Sequence, residues 1–153
     1  MIKVQREDFD VGREIELLTR DNARIGGVAS FIGLVRDANY QGDGADRVSA
    51  LTLEHYPGMT EKKLAEIEAE ANKRWPLDAS LIIHRYGRLE PGDRIVLVAT
   101  ASPHREAALA ACHFLIDWLK TDAPFWKSEE TPQGERWVEA RREDDEAARR
   151  WKV

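Results

Sequence analysis

Cysteine is almost absent from this chain: Cys112 stands alone among 153 residues. An intramolecular disulfide framework is therefore impossible, and without a Cys-x-x-Cys pair so is a zinc ribbon. A reducing, cytoplasmic setting is the expectation. Long apolar runs are missing too, the longest, such as residues 95–101, falling far short of the roughly 20 that cross a bilayer. Lys3, Arg6, Glu7 and Asp8 interrupt any apolar signal-peptide core, so export is not expected. Basic excess is also lacking. Lysine and arginine total 23 against 28 aspartates and glutamates, a formal charge of −5. That balance argues against binding nucleic acid through bulk electrostatics, although a local basic pocket remains compatible with it. Gly26-Gly27 and Gly33 are not followed by Gly-Lys-Ser/Thr, which excludes a P-loop. Repeats and low-complexity segments are missing as well. What remains, 42% hydrophobic and 33% charged, suits one domain over residues 1–153.

The residues that are present alternate between short elements. Residues 2–5 read as a strand, and residues 10–19 place Val11, Ile15 and Leu18 at helical spacing. Residues 28–35, rich in β-branched and aromatic side chains, read as a buried strand ending at Arg36. Residues 37–46 hold Asn39, Gly42, Asp43 and Gly44 and little apolar surface, which predicts a mobile surface loop. Val48, Leu51 and Leu53 resume a strand towards His55. Thr60 is the predicted N-cap of a helix that Pro76 stops, with Leu64, Ile67 and Ala71 as its apolar face. Strands over 80–86 and 94–100 flank a Pro91-Gly92-Asp93 turn. Ser102 and Pro103 are the predicted N-cap and first turn of the longest helix, which ends near Asp122 before Pro124. Residues 125–130 and 136–139 pair as a terminal hairpin, and 141–153 form a charged tail in which 143–146 is a solvated run. Adjacent strand pairs predict antiparallel pairing and an α+β fold, since a doubly wound parallel sheet needs a helix between nearly all strands.

Five cations fall at predicted element ends. Arg36 closes a strand, His104 and Arg105 open the long helix, Lys120 lies in its last turn, and Lys127 follows Pro124. A helix N-terminus attracts phosphate through free N–H groups and its dipole, so together these residues are a candidate anion site. The competing reading is surface decoration. Aromatic residues flank Lys120 and Lys127, in Trp118-Leu119-Lys120 and Phe125-Trp126-Lys127. Desolvation and a second cation both disfavour an ammonium, which would bring an amine towards proton transfer or nucleophilic attack. Snorkelling along the aromatic surface would instead leave both heads in water. Cys112 falls among Ala and Leu positions and reads as a core thiol, and His113 points about 100° away, so the two share no metal. His55 and His84 read as structural histidines without a second ligand at metal spacing. No metal site and no cofactor is predicted.

Several stretches taken together resemble one family in order along nearly the whole chain. They are Phe31-Ile32-Gly33-Leu34-Val35-Arg36, Leu53-Glu54-His55-Tyr56-Pro57-Gly58-Met59, His84-Arg85-Tyr86-Gly87, Pro91-Gly92-Asp93, Ser102-Pro103-His104-Arg105 and the long string from Asp117 to Lys127. The chain resembles the large, catalytic subunits of molybdopterin synthase. The resemblance implies an α/β-hammerhead type of α+β fold, with antiparallel or mixed sheet, packed helices and a small β subdomain near the C-terminus. It implies sulfur transfer, in which cyclic pyranopterin monophosphate receives two sulfurs and becomes the dithiolene of molybdopterin. The sulfur donor is the C-terminal Gly-Gly thiocarboxylate of a small ubiquitin-like carrier subunit, whose tail enters the large subunit's pocket. The implied assembly is a heterotetramer, a homodimer of large subunits flanked by two carriers, with neither nucleic acid nor membrane. Carried over residue by residue, Lys120 and Lys127 are the catalytic pair, and Arg36, His104, Arg105, Lys120, Lys127 and Glu129 contact substrate. Two positions depart from the family, Leu34 and Ser128, where a basic residue is common.

Geometry adds one expectation of its own. Arg105 and Lys120 lie fifteen residues apart on one predicted helix, a rise of about 22 Å, too far for one small substrate to touch both. Each site would then take Lys120 and Lys127 from one chain and His104 and Arg105 from the other. Two further classes compete with sulfur transfer: a non-catalytic dimeric module that docks a partner's tail, and a carrier-independent cyclic phosphodiesterase using His104 as base.

Overall fold

The computed structural model describes residues 1–41, 44–138 and 142–152. Its elements run β1 (Ile2–Gln5), α1 (Val11–Thr19), β2 (Gly27–Leu34), β3 (Ala38–Gln41), β4 (Gly44–Arg47), β5 (Ala50–His55) and α2 (Met59–Arg74). They continue with β6 (Ala79–Arg85), β7 (Gly87–Leu89), β8 (Arg94–Ser102), α3 (Arg105–Asp122), β9 (Phe125–Thr131), β10 (Gly134–Val138) and α4 (Arg142–Arg149). The fold is α+β, as the strand order predicts.

One sheet has the order β1-β6-β8-β2, and its two faces are both covered. Alternation along β6 and β8 decides which side chain goes where. Leu81, Ile83, Leu97 and Ala99 face α1 through Phe9, Val11, Ile15 and Leu18. Ile82, Val96 and Val98 face the other way, onto Leu64, Ile67 and Ala71 of α2 and Ala108, Cys112, Phe114, Leu115 and Leu119 of α3. Covering both faces explains why β6 and β8 are continuous apolar runs rather than alternating ones. The second sheet has the order β10-β9-β5-β7 and encloses Val35, Leu51, Leu53 and Leu89.

The structure departs from the expectations at definite points. Residues 37–46 are not an irregular loop throughout: β3 and β4 pair antiparallel as a hairpin, Ala38 with Arg47 and Asn39 with Asp46. Ala38 is buried at one end and Val48 beyond the other, so burial of flanking residues orders a segment whose own composition is polar. Not every pair is antiparallel, since β1 runs parallel to β6. β7 was not foreseen; it leaves β6 at Gly87, whose φ of 94° suits only glycine, and joins the second sheet beside β5. The charged tail contains α4, and Ala148 and Trp151 pack into the core over α3. Residue 139 of the terminal hairpin lies outside the described residues, as do the side chains of 143 and 144.

Two caps also differ. Gly58, at φ 83°, rather than Thr60 is the N-cap of α2, and Glu61 reaches back to accept from the Gly58 amide at 2.6 Å. His104 rather than Ser102 is the N-cap of α3, which begins at Arg105; the Ser102 hydroxyl donates to the Pro76 carbonyl at 2.8 Å and accepts from the His104 amide at 3.3 Å.

Candidate functional site

A cavity of about 550 Å³ opens where the ends of both sheets meet the C-terminal end of α3. Its walls include Gly33, Leu34 and Arg36 from the end of β2, Ile95 and Val96 from β8, and His84 from β6. The end of α3 adds Leu119 and Lys120, and β9 adds Phe125, Lys127 and Glu129. Asn39 of the β3–β4 hairpin closes one side. Four of the six sequence-predicted residues, Arg36, Lys120, Lys127 and Glu129, are thus brought together. His104 and Arg105 are not: they sit exposed at the opposite end of α3, which is one unbroken helix of 18 residues.

The two lysines meet because the chain reverses tightly between them. α3 ends at Asp122, Ala123 turns to extended backbone, and the Phe125 amide donates to the Ala123 carbonyl at 2.9 Å. Pro124 cannot continue the helix. Thr60, completely buried, holds this corner: its hydroxyl accepts from the Tyr56 amide at 3.0 Å and donates to the Pro124 carbonyl at 3.2 Å. Along β9 the period of two then puts Phe125, Lys127 and Glu129 on the cavity face and Trp126 on the other, beside Tyr56 at 5.6 Å between rings.

Glu129 is buried, and partners occupy its carboxylate. Asn39 Nδ2 donates to it at 3.1 Å, and Arg136 Nε and Nη2 donate at 3.1 and 3.0 Å. Arg136 also bonds Asp46, so one guanidinium ties β9 and β10 to the hairpin. A buried carboxylate needs such partners, and satisfying it here fixes the hairpin against the cavity.

His84 was read from sequence only as a structural histidine. It is buried, but it lines the cavity and stacks on Phe125 with ring centroids 3.7 Å apart and planes 17° from parallel. Its Nδ1 lies 2.8 Å from the Arg85 carbonyl, which can only accept, so the proton sits on Nδ1. Burial, together with the nearby Lys127 and His55, pushes the ring down from 6.5 to about 4, against the backbone hydrogen bond that favours its charged form. The ring is neutral at pH 7. Asn39 and Arg136 were also missed, and neither stands at a spacing that could have marked it. Among the described residues no three His, Cys, Asp or Glu side chains are gathered to hold a metal ion.

The cavity is therefore a cationic pocket with apolar walls, one neutral histidine and one carboxylate held by Asn39 and Arg136. The family model described as "MoaE protein" matches residues 4–122. The chain belongs to the MoaE family. It is 57% identical over 152 residues to the "Molybdopterin synthase catalytic subunit" of Ralstonia nicotianae (strain ATCC BAA-1114 / GMI1000), covering 99% of this chain and 84% of that one. It is 55% identical over 150 residues to the protein of the same name from Pseudomonas aeruginosa, covering 98% and 97%. The solved MoaE protein from Burkholderia ambifaria MC40-6 superposes with a TM-score of 0.83 at 52% identity, covering 100% of this chain and 98% of that one. The MoaE match ends at Asp122, so Lys120 lies inside it and Lys127 and Glu129 outside, whereas the full-length relatives span all three.

Proposed function

We infer that this chain is a molybdopterin synthase catalytic subunit, transferring two sulfurs to cyclic pyranopterin monophosphate to form the molybdopterin dithiolene. The observation that carries the reading is the convergence of Arg36, Lys120 and Lys127 on one cavity in a chain of the MoaE family. The partner is a small carrier subunit whose C-terminal thiocarboxylate enters that cavity. A setting in the cytoplasm suits this thiol-rich chemistry and the single buried thiol of the chain.

The roles follow from the charges. Arg36 holds the substrate's phosphate as a planar, forked donor. Lys120 and Lys127 supply the donor and acceptor that thiohemiketal-type intermediates require, and their ammonium groups attract the carrier's terminal carboxylate. Glu129 shapes the wall through Asn39 and Arg136 and touches substrate with what bonding capacity remains.

His104 and Arg105 enter from a second copy of the chain. The unbroken α3 separates them from Lys120 by about 22 Å, which makes the homodimer a condition of catalysis. Mixing K120A chains with R105A chains should restore about a quarter of the wild-type sites by random assortment, and dead mixed dimers would overturn the shared site. The primary test is dithiolene formation by the purified chain, with and without thiocarboxylated carrier, repeated with K120A. Carrier-dependent product that K120A abolishes is expected. Tight carrier binding without turnover would identify a docking module instead, and carrier-independent ring opening a phosphodiesterase.

A further inference from the structure

Among the described residues, His84 is the one buried titratable group of the cavity to which the reading above gives no part. Three of its contacts are already determined. Nδ1–H is committed to the Arg85 carbonyl, one ring face lies on Phe125, and the ring borders the cavity. Nε2 is the polar atom that remains, and in this tautomer it carries a lone pair and no proton. Phe125 and Lys127 are neighbours on the same face of β9, a separation of about 7 Å along the strand, and both line the cavity with His84, so a ring stacked on the first is within a long side chain's reach of the second. The electrostatic influence of Lys127 on the ring agrees with that proximity.

We propose that His84 is a positioning residue: its Nε2 accepts a hydrogen bond from the Lys127 ammonium and holds that amine against the cavity wall for the reaction. The inference rests on the reading that Lys127 serves this reaction. A neutral acceptor suits the task better than a carboxylate. It orients the ammonium without cancelling its charge, so Lys127 stays attractive to the carrier's terminal carboxylate and to phosphate. Burial keeps the acceptor available, because a protonated ring would have no lone pair to offer. The charged and titratable groups that act on the ring are Lys127 and His55, both of which favour its neutral form, and Lys120, Arg36 and Glu129 line the same cavity.

Two variants separate positioning from mere structure. H84N keeps a donor near the place of Nδ1 and loses the atom at Nε2, whereas H84Q extends an amide to about the place of Nε2. The readouts are steady-state kinetics with thiocarboxylated carrier and the titration of Lys127, followed by NMR after reductive ¹³C-methylation and assigned with K127R. H84N is expected to lower kcat at least tenfold while changing the KM for carrier less than twofold, and to move the Lys127 titration downward, since the ammonium loses an acceptor. H84Q is expected to recover part of both. An unmoved Lys127 titration in H84N, or equal losses in both variants that follow a fall in thermal stability, would overturn the proposal. Full activity of K127A would overturn the catalytic reading of Lys127 instead, and the titration in H84N would still decide whether His84 holds the amine.

Discussion

His84 carries a stability consequence as well as a positional one. Its folded value of about 4 lies below the unfolded 6.5, so the native state resists a proton that the unfolded chain accepts. The stability it permits is complete above pH 6.5 and is lost as pH falls from 6.5 towards 4, by about 3 kcal/mol at the limit. Urea midpoints of wild type and H84Q at pH 7.5 and pH 5 should differ accordingly, the variant losing less on acidification. Equal losses would show that another group carries the acid sensitivity. Cys112 is the opposite case, a residue with chemistry but no access. It is buried with its Sγ 4.0 Å from the Val98 carbonyl, and burial pushes its thiol up to about 11. At pH 8 the native protein should react with Ellman's reagent only at its unfolding rate, and prompt labelling would mean that α3 opens locally.

At the scale of elements, the corner between α3 and β9 governs the site, and Thr60 governs the corner. T60V keeps the shape of the side chain but removes the hydroxyl partner of the part-buried Tyr56 amide and Pro124 carbonyl, a loss of about 1–3 kcal/mol. Because the two lysines flank this corner, kcat should fall in T60V by more than the unfolded fraction explains. Activity that simply tracks the folded fraction would show that β9 keeps its place without the hydroxyl. The start of α3 is fixed as closely: a Cβ on Gly26 would lie 2.1 Å from the Pro103 carbonyl oxygen, so only glycine lets β2 approach the residues leading into His104 and Arg105. Helix extents were legible in the sequence because apolar spacing and Pro76 and Pro124 state them. The caps were not, since Thr60 and Ser102 spend their hydroxyls on distant carbonyls that no local pattern announces.

The molecule as a whole is closed by its C-terminal segment, which composition describes only as charged. Trp151 sets its ring edge-on to Trp75 and Phe114 at 5.6 Å each, and its Nε1 donates to the buried Asp117 at 2.7 Å. Arg74 donates to the Trp151 carbonyl at 2.7 Å while lying over Phe114. Removing the ring in W151A should cost about 3 kcal/mol, through lost packing and an Asp117 carboxylate left without its indole donor. Thermal unfolding would show this as a fall of roughly 6–12 °C. A change under about 2 °C would mean that the Trp151 ring contributes nothing to global stability.

The sequence by itself determined the α+β class, the helices that face the main sheet, and the identity of the charged residues around the cavity. Those properties depend on periodicity, on Pro and Gly, and on which side chains carry charge, all of which a linear string records. Only the tertiary structure decided which cations share a cavity, because that depends on the unbroken length of α3 and on the corner at Ala123 and Pro124. It also decided that a polar segment forms the β3–β4 hairpin, held through Asn39, Glu129 and Arg136 across some ninety residues of sequence. The same holds for His84, whose neutrality and place at the cavity come from burial, from Phe125 and from the Arg85 carbonyl. Such long-range contacts fix a residue's environment, and environment rather than residue type sets its protonation and its use.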